Sequence, residues 1–417
     1  MILSLAGIRG HWGIMGNPVT TLPSYDLLDA DDPLDYQLKI SAESPLSWVP
    51  SLGGYLVTGY DNVLAALKNE KMRAANATQT FDLLTEAEQA ALRPLRMSID
   101  MWMGHVTAEG HHRFQKLLKR YFTPSSVNDL RPRVRELTAE LLDAVAGRGR
   151  MDVVRDLAYP LPANIIAEMF GMPVADRELL RAWSRQVAAV FQNADAERLM
   201  VSQVGVLEMQ DYLREIVADR RVRPREDLIS MFTAAEREGL VNEDEIVANC
   251  VLLLFAGHET TMNVIARGLH VLMANPDQLE LLRSRPELTR SAVEEILRYA
   301  GPVGTVVREV IEPVTISGYE IAPGEHVFLG VYAANHDPAV FPDPLRFDIT
   351  RKNNRHLGFG MGSYYCLGAA LARVESDECF RLLLSRFPDL RPASGGQVAV
   401  VRATAMGQLI ESLPVEF

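Results

Sequence analysis

The chain of 417 residues carries 54 acidic against 42 basic side chains, a formal net charge of −12, and is 48% hydrophobic. Such acidity excludes general nucleic-acid binding, which needs a basic surface. Three scattered cysteines, Cys250, Cys366 and Cys379, exclude a disulfide framework and fit a reducing cytoplasm.

Length alone suggests about two or three domains, yet no repeat or low-complexity linker marks a boundary. The longest apolar run, Val251 to Ala256, is far short of the roughly 20 residues that span a bilayer. Met1 to Ile14 has no signal-peptide core, and residues 1 to about 20 read as an irregular extension, so a cytoplasmic protein is expected. From Asp61 to Pro286 the pattern is helical, with Pro and Gly stops. Within it, His111 to Phe122 is amphipathic. Phe114, Leu117, Leu118 and Tyr121 share one face, with His111 at its edge, pointing inward. The outward face carries Arg113, Lys116 and Arg120, with Lys119 nearby. These could be a solvated face or a docking patch for an acidic partner.

A long helix is predicted from Asn242 as N-cap, with Glu245 at the capping-box position, to Asn275 before Pro276. It spans roughly 33 residues, about 50 Å at 1.5 Å per residue. Ile246 to Ala256 is apolar nearly all round, which places the helix through the protein centre. Gly257, His258, Glu259, Thr260 and Thr261 then interrupt it, and polar groups at a core need partners or a purpose. Further on, Val293, Ile296, Leu297 and Ala300 form an apolar stripe. This leaves Glu294, Glu295 and Arg298 on the opposite face, as a surface ion pair by helical geometry alone. Val314 to Ile316 and His326 to Val331 read as a strand pair flanking Gly318 and Pro323-Gly324. An irregular Pro-rich stretch, Asp337 to Arg355, leads to a Gly-rich loop and a helix from about Leu367. The chain is mainly α with a small β-rich portion.

That loop, Phe359-Gly360-Met361-Gly362-Ser363-Tyr364-Tyr365-Cys366-Leu367-Gly368, is the strongest local signal. A cysteine at a helix N-terminus lies among free N–H groups that stabilise a thiolate, and glycines let the backbone approach a flat ligand. A thiolate is also the axial ligand that favours O–O cleavage at haem iron. The alternative is a buried free cysteine beside a tight turn, but Phe, three Gly and Cys at fixed spacing coincide by chance with probability roughly 10⁻⁵ to 10⁻⁴.

The loop closely resembles the haem-binding signature of the cytochrome P-450 superfamily, and matching segments run from about residue 20 to the C-terminus. The resemblance implies one haem-enclosing domain over residues 1–417 with the cytochrome P-450 fold, overriding the length-based guess. Haem b would be ligated by Cys366 and contacted by Phe359, Gly360, Tyr364, Gly368, Ala256 and Gly257. It makes Ala256-Gly257-His258-Glu259-Thr260-Thr261 similar to the oxygen-activation segment. Thr260 and Glu259 would deliver protons there, and Gly257 would leave room for oxygen. His111 and Arg308 match the propionate-binding residues. Glu295, Arg298 and Arg346, the last in Pro344-Leu345-Arg346-Phe347, look like the buried triad supporting the cysteine loop. Two positions depart from the pattern, Gln115 replacing an arginine and Tyr364 a histidine, which leaves haem affinity and potential open.

Where the family lines its substrate pocket stand Met97, Ile99, Met101, Trp102, Leu253, Ala256, Thr305, Val306, Val307, Thr404, Ala405 and Met406. Most are apolar, so a mainly hydrophobic organic substrate is expected, such as a polyketide, terpenoid or aromatic natural product. Electrons would come from a separate ferredoxin or similar donor docking near Arg113, Lys116, Lys119 and Arg120. A peroxide-driven peroxygenase, a non-oxygenating haem-thiolate isomerase and a haem-binding sensor are the other readings. The Glu259-Thr260 pair speaks against the first two.

Overall fold

The computed structural model describes residues 33–75, 81, 84–191, 195–404 and 407–417. The expected irregular extension, residues 1–20, lies outside them, as do Ala405 and Met406 and the side chain of Thr404.

Helices dominate. The central one runs Glu243–Ala274, 32 residues, and Asn242 caps it with the reciprocal box expected, its side chain accepting from the Glu245 amide. Ile246 to Val251 are buried on every side, as an all-round apolar segment must be. Buried Asn249 spends its amide locally, accepting from the Met103 N–H and donating to the Met101 and Glu245 carbonyls. Around this helix pack Pro160–Met169, Ala196–Val222, Thr289–Ala300 and Ala369–Arg386. Among the described residues no helix is long and apolar enough to cross a membrane.

The β-rich portion is a five-stranded sheet in the order Leu46–Val49, Gly54–Val57, His326–Gly330, Thr305–Val310, Met72–Ala74. Only the pairing of Gly54–Val57 with His326–Gly330 is parallel. The expected strands exist, but their pairing differs. Val314–Ile316 turns back on Tyr319–Ile321 through Ser317 and Gly318. Both turn residues have positive φ, 52° and 83°, as a two-residue primed turn requires. His326–Gly330 is thereby free to sit inside the larger sheet.

Candidate functional site

The cysteine loop is a tight hairpin closed by the Cys366 amide, which donates to the Phe359 carbonyl at 2.9 Å. Gly360 and Gly362 both take left-handed φ, 67° and 74°. At Gly362 a Cβ would come within 3.0 Å of the Leu67 carbonyl oxygen, so only glycine lets the loop lie against that backbone. Cys366 precedes the helix Ala369–Arg386. Its side chain is accessible, although much protein surrounds it. Burial pushes the thiol up, while the Gly368 amide, the Arg373 charge and the Ala369 amide pull it down. A Cβ at Gly368 would meet nothing within 4 Å.

On the central helix, Leu253, Ala256 and Thr260 fall at i, i+3 and i+7 and form an accessible stripe, although Leu254, Phe255 and His258 between them are buried. Glu259 adjoins the stripe, and burial raises its carboxyl to about 7. The Thr260 hydroxyl donates back to the Ala256 carbonyl at 3.3 Å. Gly257 requires a correction. Its missing side chain points at Ile166, where a Cβ would sit 2.7 Å from Cγ1. The glycine lets helix Pro160–Met169 approach, and the space of its missing side chain is taken by Ile166 rather than kept open for oxygen.

His111 sits in helix Ala108–Leu118, buried, with Nδ1 2.7 Å from the Met103 carbonyl and Nε2 3.0 Å from the Ser363 carbonyl. Gln115 reaches the same Ser363 oxygen at 3.2 Å, so this departure keeps a bond to the cysteine loop. Tyr364 lies between two cationic candidates, its ring 4.4 Å from that of His111 and 4.9 Å from the Arg308 guanidinium. Arg308 is buried, and burial lowers it to about 10; no carboxylate among the described residues pairs with it. Arg113 is half-buried and bound to Glu245 and the Leu240 carbonyl, so its charge is already matched. Lys116, Lys119 and Arg120 remain exposed.

Glu295 and Arg298 are not on the surface. Both are fully buried, Arg298 donating from Nε and Nη2 at 2.8 Å. The third member is also corrected. Arg346 is exposed and contributes only its carbonyl, 3.2 Å from Arg298, whereas the Arg351 Nε reaches both Glu295 oxygens at 3.2 Å. Asn354 and the Asp348 amide complete the shell around Glu295. The sequence reading also missed Glu294, which grips Arg373 beyond the cysteine loop and His356 before it. Burial works to raise its carboxyl, but hydrogen bonds from His356 and Arg373 outweigh it and hold it at about 2.

Several pocket candidates belong to the core instead. Ile99 and Trp102 are fully buried, Trp102 stacked on Phe191 at 5.4 Å. Met97 is 55% exposed on the outer side of Arg93–Asp100. Strand residues alternate faces. Thr305, bonded by Gln37, and Val307, packed with Ile40, Leu56 and Phe328, face away, and Val306 shares the Arg308 side. Met101, Leu253 and Val306 stay partly accessible.

The sequence profile described as cytochrome P-450 matches residues 97–399. The chain belongs to that family. The P-450 is 39% identical over 381 residues to the cytochrome P-450 monooxygenase PikC of Streptomyces venezuelae, covering 89% of this chain and 88% of that one. It is 35% identical over 378 residues to the 6-deoxyerythronolide B hydroxylase of Saccharopolyspora erythraea, covering 89% and 93%. Among solved structures, a P-450 in complex with acyl carrier protein ligated to hexadec-9Z-enoic acid superposes with a TM-score of 0.85 at 33% identity, covering 92% and 98%. The P-450 is thus an oxygen-incorporating oxidoreductase with the mainly helical P-450 fold, and its family carries haem. The residues present fit that group. A thiol is flanked by helix N-terminal amides, the backbone is open at Gly368, and a buried guanidinium has no carboxylate partner among the described residues.

Proposed function

We propose that this P-450 is a single-domain cytoplasmic monooxygenase that holds haem b through Cys366 and inserts one oxygen atom from O₂ into a mainly hydrophobic natural product. The observation that carries the reading is the accessible Cys366 sulfur, flanked by the Gly368 and Ala369 amides. Phe359, Gly360, Tyr364 and Gly368 would border the group below, and Ala256 above. Arg308 would meet a propionate. His111 would reach one only by giving up the Ser363 carbonyl at Nε2.

The haem supplies binding and reductive activation of dioxygen. The chain supplies protons and exclusion of water. Thr260 holds a proton at Oγ1 on the accessible stripe, and Glu259, with a carboxyl near 7, resupplies it at neutral pH. Glu295, Arg298 and Arg351 hold the segment before the loop, and Glu294 with Arg373 braces the helix after it.

Two relatives support the substrate class by their names, the hydroxylase of 6-deoxyerythronolide B and a polyketide biosynthesis P-450 of Bacillus subtilis. Met101, Leu253, Ala256 and Val306 would contact the substrate. Electrons would come from a ferredoxin-like donor docking at Lys116, Lys119 and Arg120. The test is the carbon monoxide difference spectrum of the reduced protein. A strongly red-shifted Soret band that disappears in Cys366→Ala is expected. A band typical of histidine-ligated haem, or no haem, overturns the reading.

A further inference from the structure

Arg308 has no carboxylate partner among the described residues, and a propionate would supply one. Arg267 stands in the same position, and nothing in the chemistry above supplies its anion. It lies on the central helix seven residues beyond Thr260, about 10 Å along the axis at 1.5 Å per residue. Asn263 and Val264, between the two, are buried, so the accessible stripe does not run on to Arg267.

A guanidinium carries five N–H donors, and Arg267 has placed two of them. Both Nη1 bonds go to neutral oxygens, the Tyr332 hydroxyl at 2.9 Å and the Gln408 carbonyl at 2.6 Å. The Tyr332 proton is itself committed to the Gly301 carbonyl, and the Tyr332 ring centroid lies 5.8 Å from the guanidinium. The Arg267 Nε and Nη2 have no acceptor among the described residues, and the residue is partly accessible. That edge is the one Arg298 turns on Glu295 and Arg73 on Glu309. Its two parallel donors match the two oxygens of a carboxylate.

Beside Arg267 a recess of about 220 Å³ opens between the central helix, the end of Thr289–Ala300 and strand Gly407–Ser412. No Asp or Glu among the described residues lines it. Val271, Tyr299, Tyr332 and Ile410 give it largely apolar and aromatic walls, and His270 adds a ring one turn on from Arg267. Burial first, and then the Arg267 charge, lower His270, so it is uncharged at neutral pH. The volume is below the roughly 300–1,000 Å³ that takes a drug-sized molecule. One guanidinium fork in a small apolar recess suits a monocarboxylate with a flat apolar body. A dianion such as phosphate would find no second cation among the lining residues.

We propose that this recess is a binding site for a small aromatic carboxylate, held by the Nε–Nη2 edge of Arg267 with its ring among Val271, Tyr299 and Ile410. The bound acid would lie against strand Gly407–Ser412, which pairs with Ala399–Thr404. The Ile410 amide already donates to the Asn263 side chain on the central helix at 3.2 Å. The site is therefore placed to tie that strand pair to the helix. The inference goes beyond the oxygen chemistry and needs neither the haem nor its substrate.

The test is calorimetric titration of the full-length holoenzyme with benzoate, benzamide and inorganic phosphate, beside an anomalous-difference map of crystals holding para-bromobenzoate. Benzoate should bind, and benzamide, which lacks the charge, on the order of tenfold more weakly. Phosphate should bind no better than benzamide. Arg267→Gln should weaken benzoate on the order of tenfold or more. Arg267→Lys, which keeps the charge and loses the fork, should recover only part. The carbon monoxide band should be unchanged in both variants, as a check on folding. The map needs no variant, and its bromine peak should lie in the recess with the carboxylate on Arg267. Absence of benzoate binding, equal binding to wild type and Arg267→Gln, phosphate binding as tight as benzoate, or a bromine peak in the haem chamber alone overturns the inference.

Discussion

Arg346 and Arg351 stand in one irregular segment, and only Arg351 brings charge to Glu295. The difference is measurable. Arg298→Ala breaks a fully buried ion pair, leaving Glu295 with Arg351 as its remaining cation, and should cost about 3 kcal/mol in denaturant unfolding. Arg351→Ala should also be clearly destabilising, whereas Arg346→Ala should stay within roughly 0.5 kcal/mol. Equal losses at 346 and 351 would contradict the geometry. Glu375, fully buried beside Thr261, has no cation paired with it among the described residues, and burial holds its carboxyl well above the usual range. The folded state thus binds its proton more tightly than the unfolded state, whose value is about 4.3. Stability is therefore lost as pH rises above that unfolded value. Glu375→Gln removes this term. The variant should gain stability over wild type as pH climbs from about 5 to 8, read from Tm across that series, and match it in acid. At this scale the sequence was most legible where residues are contiguous. The Phe359-to-Gly368 loop carries its own geometry in its glycines, whereas Glu295 gave no sign of its partner 56 positions on.

The central helix was legible as an element because both of its determinants are local. Asn242 and Glu245 form the box the spacing predicts, and Asn242→Ala should cost about 1 kcal/mol in thermal unfolding. A loss within error would mean the Arg113 contact to Glu245 is sufficient to fix that end. Its polar interruption was legible too, but not the purpose of each residue in it. Gly257 reads as a vacancy for a ligand until the neighbouring helix is seen, with Ile166 filling the space. Gly257→Ala should therefore overpack that contact by about 1–3 kcal/mol, and Ile166→Ala in the same chain should recover part of the loss. Additive losses in the double mutant would place the glycine's function elsewhere. Periodicity also failed for Glu295 and Arg298, because Thr289–Ala300 is buried on both sides at that level and no longer has a solvent face.

For the whole molecule, the mainly helical class followed from patterning, while the sheet did not. Its parallel pairing joins Gly54–Val57 to His326–Gly330 across most of the chain, and no local turn signal encodes such a contact. Net charge is the remaining molecular property with a consequence. A chain at −12 repels an acidic electron donor overall, so productive encounter depends on where the exposed cations cluster. Lys116, Lys119 and Arg120 are exposed at one helix end, close in sequence to the Gln115 that bonds the cysteine loop. Arg113 is withdrawn by Glu245 and is a poor probe, since reversing it would disturb the central helix cap. The informative variant is Lys116→Glu with Arg120→Glu. Reduction by an acidic ferredoxin should slow on the order of tenfold at low salt, since steering acts chiefly on the association rate. The deficit should shrink as the Debye length falls from about 10 Å at 0.1 M to about 3 Å at 1 M, with the carbon monoxide band intact throughout. A deficit that persists at high salt would point to a lost contact rather than lost steering, and no deficit at all would move the docking site off this helix.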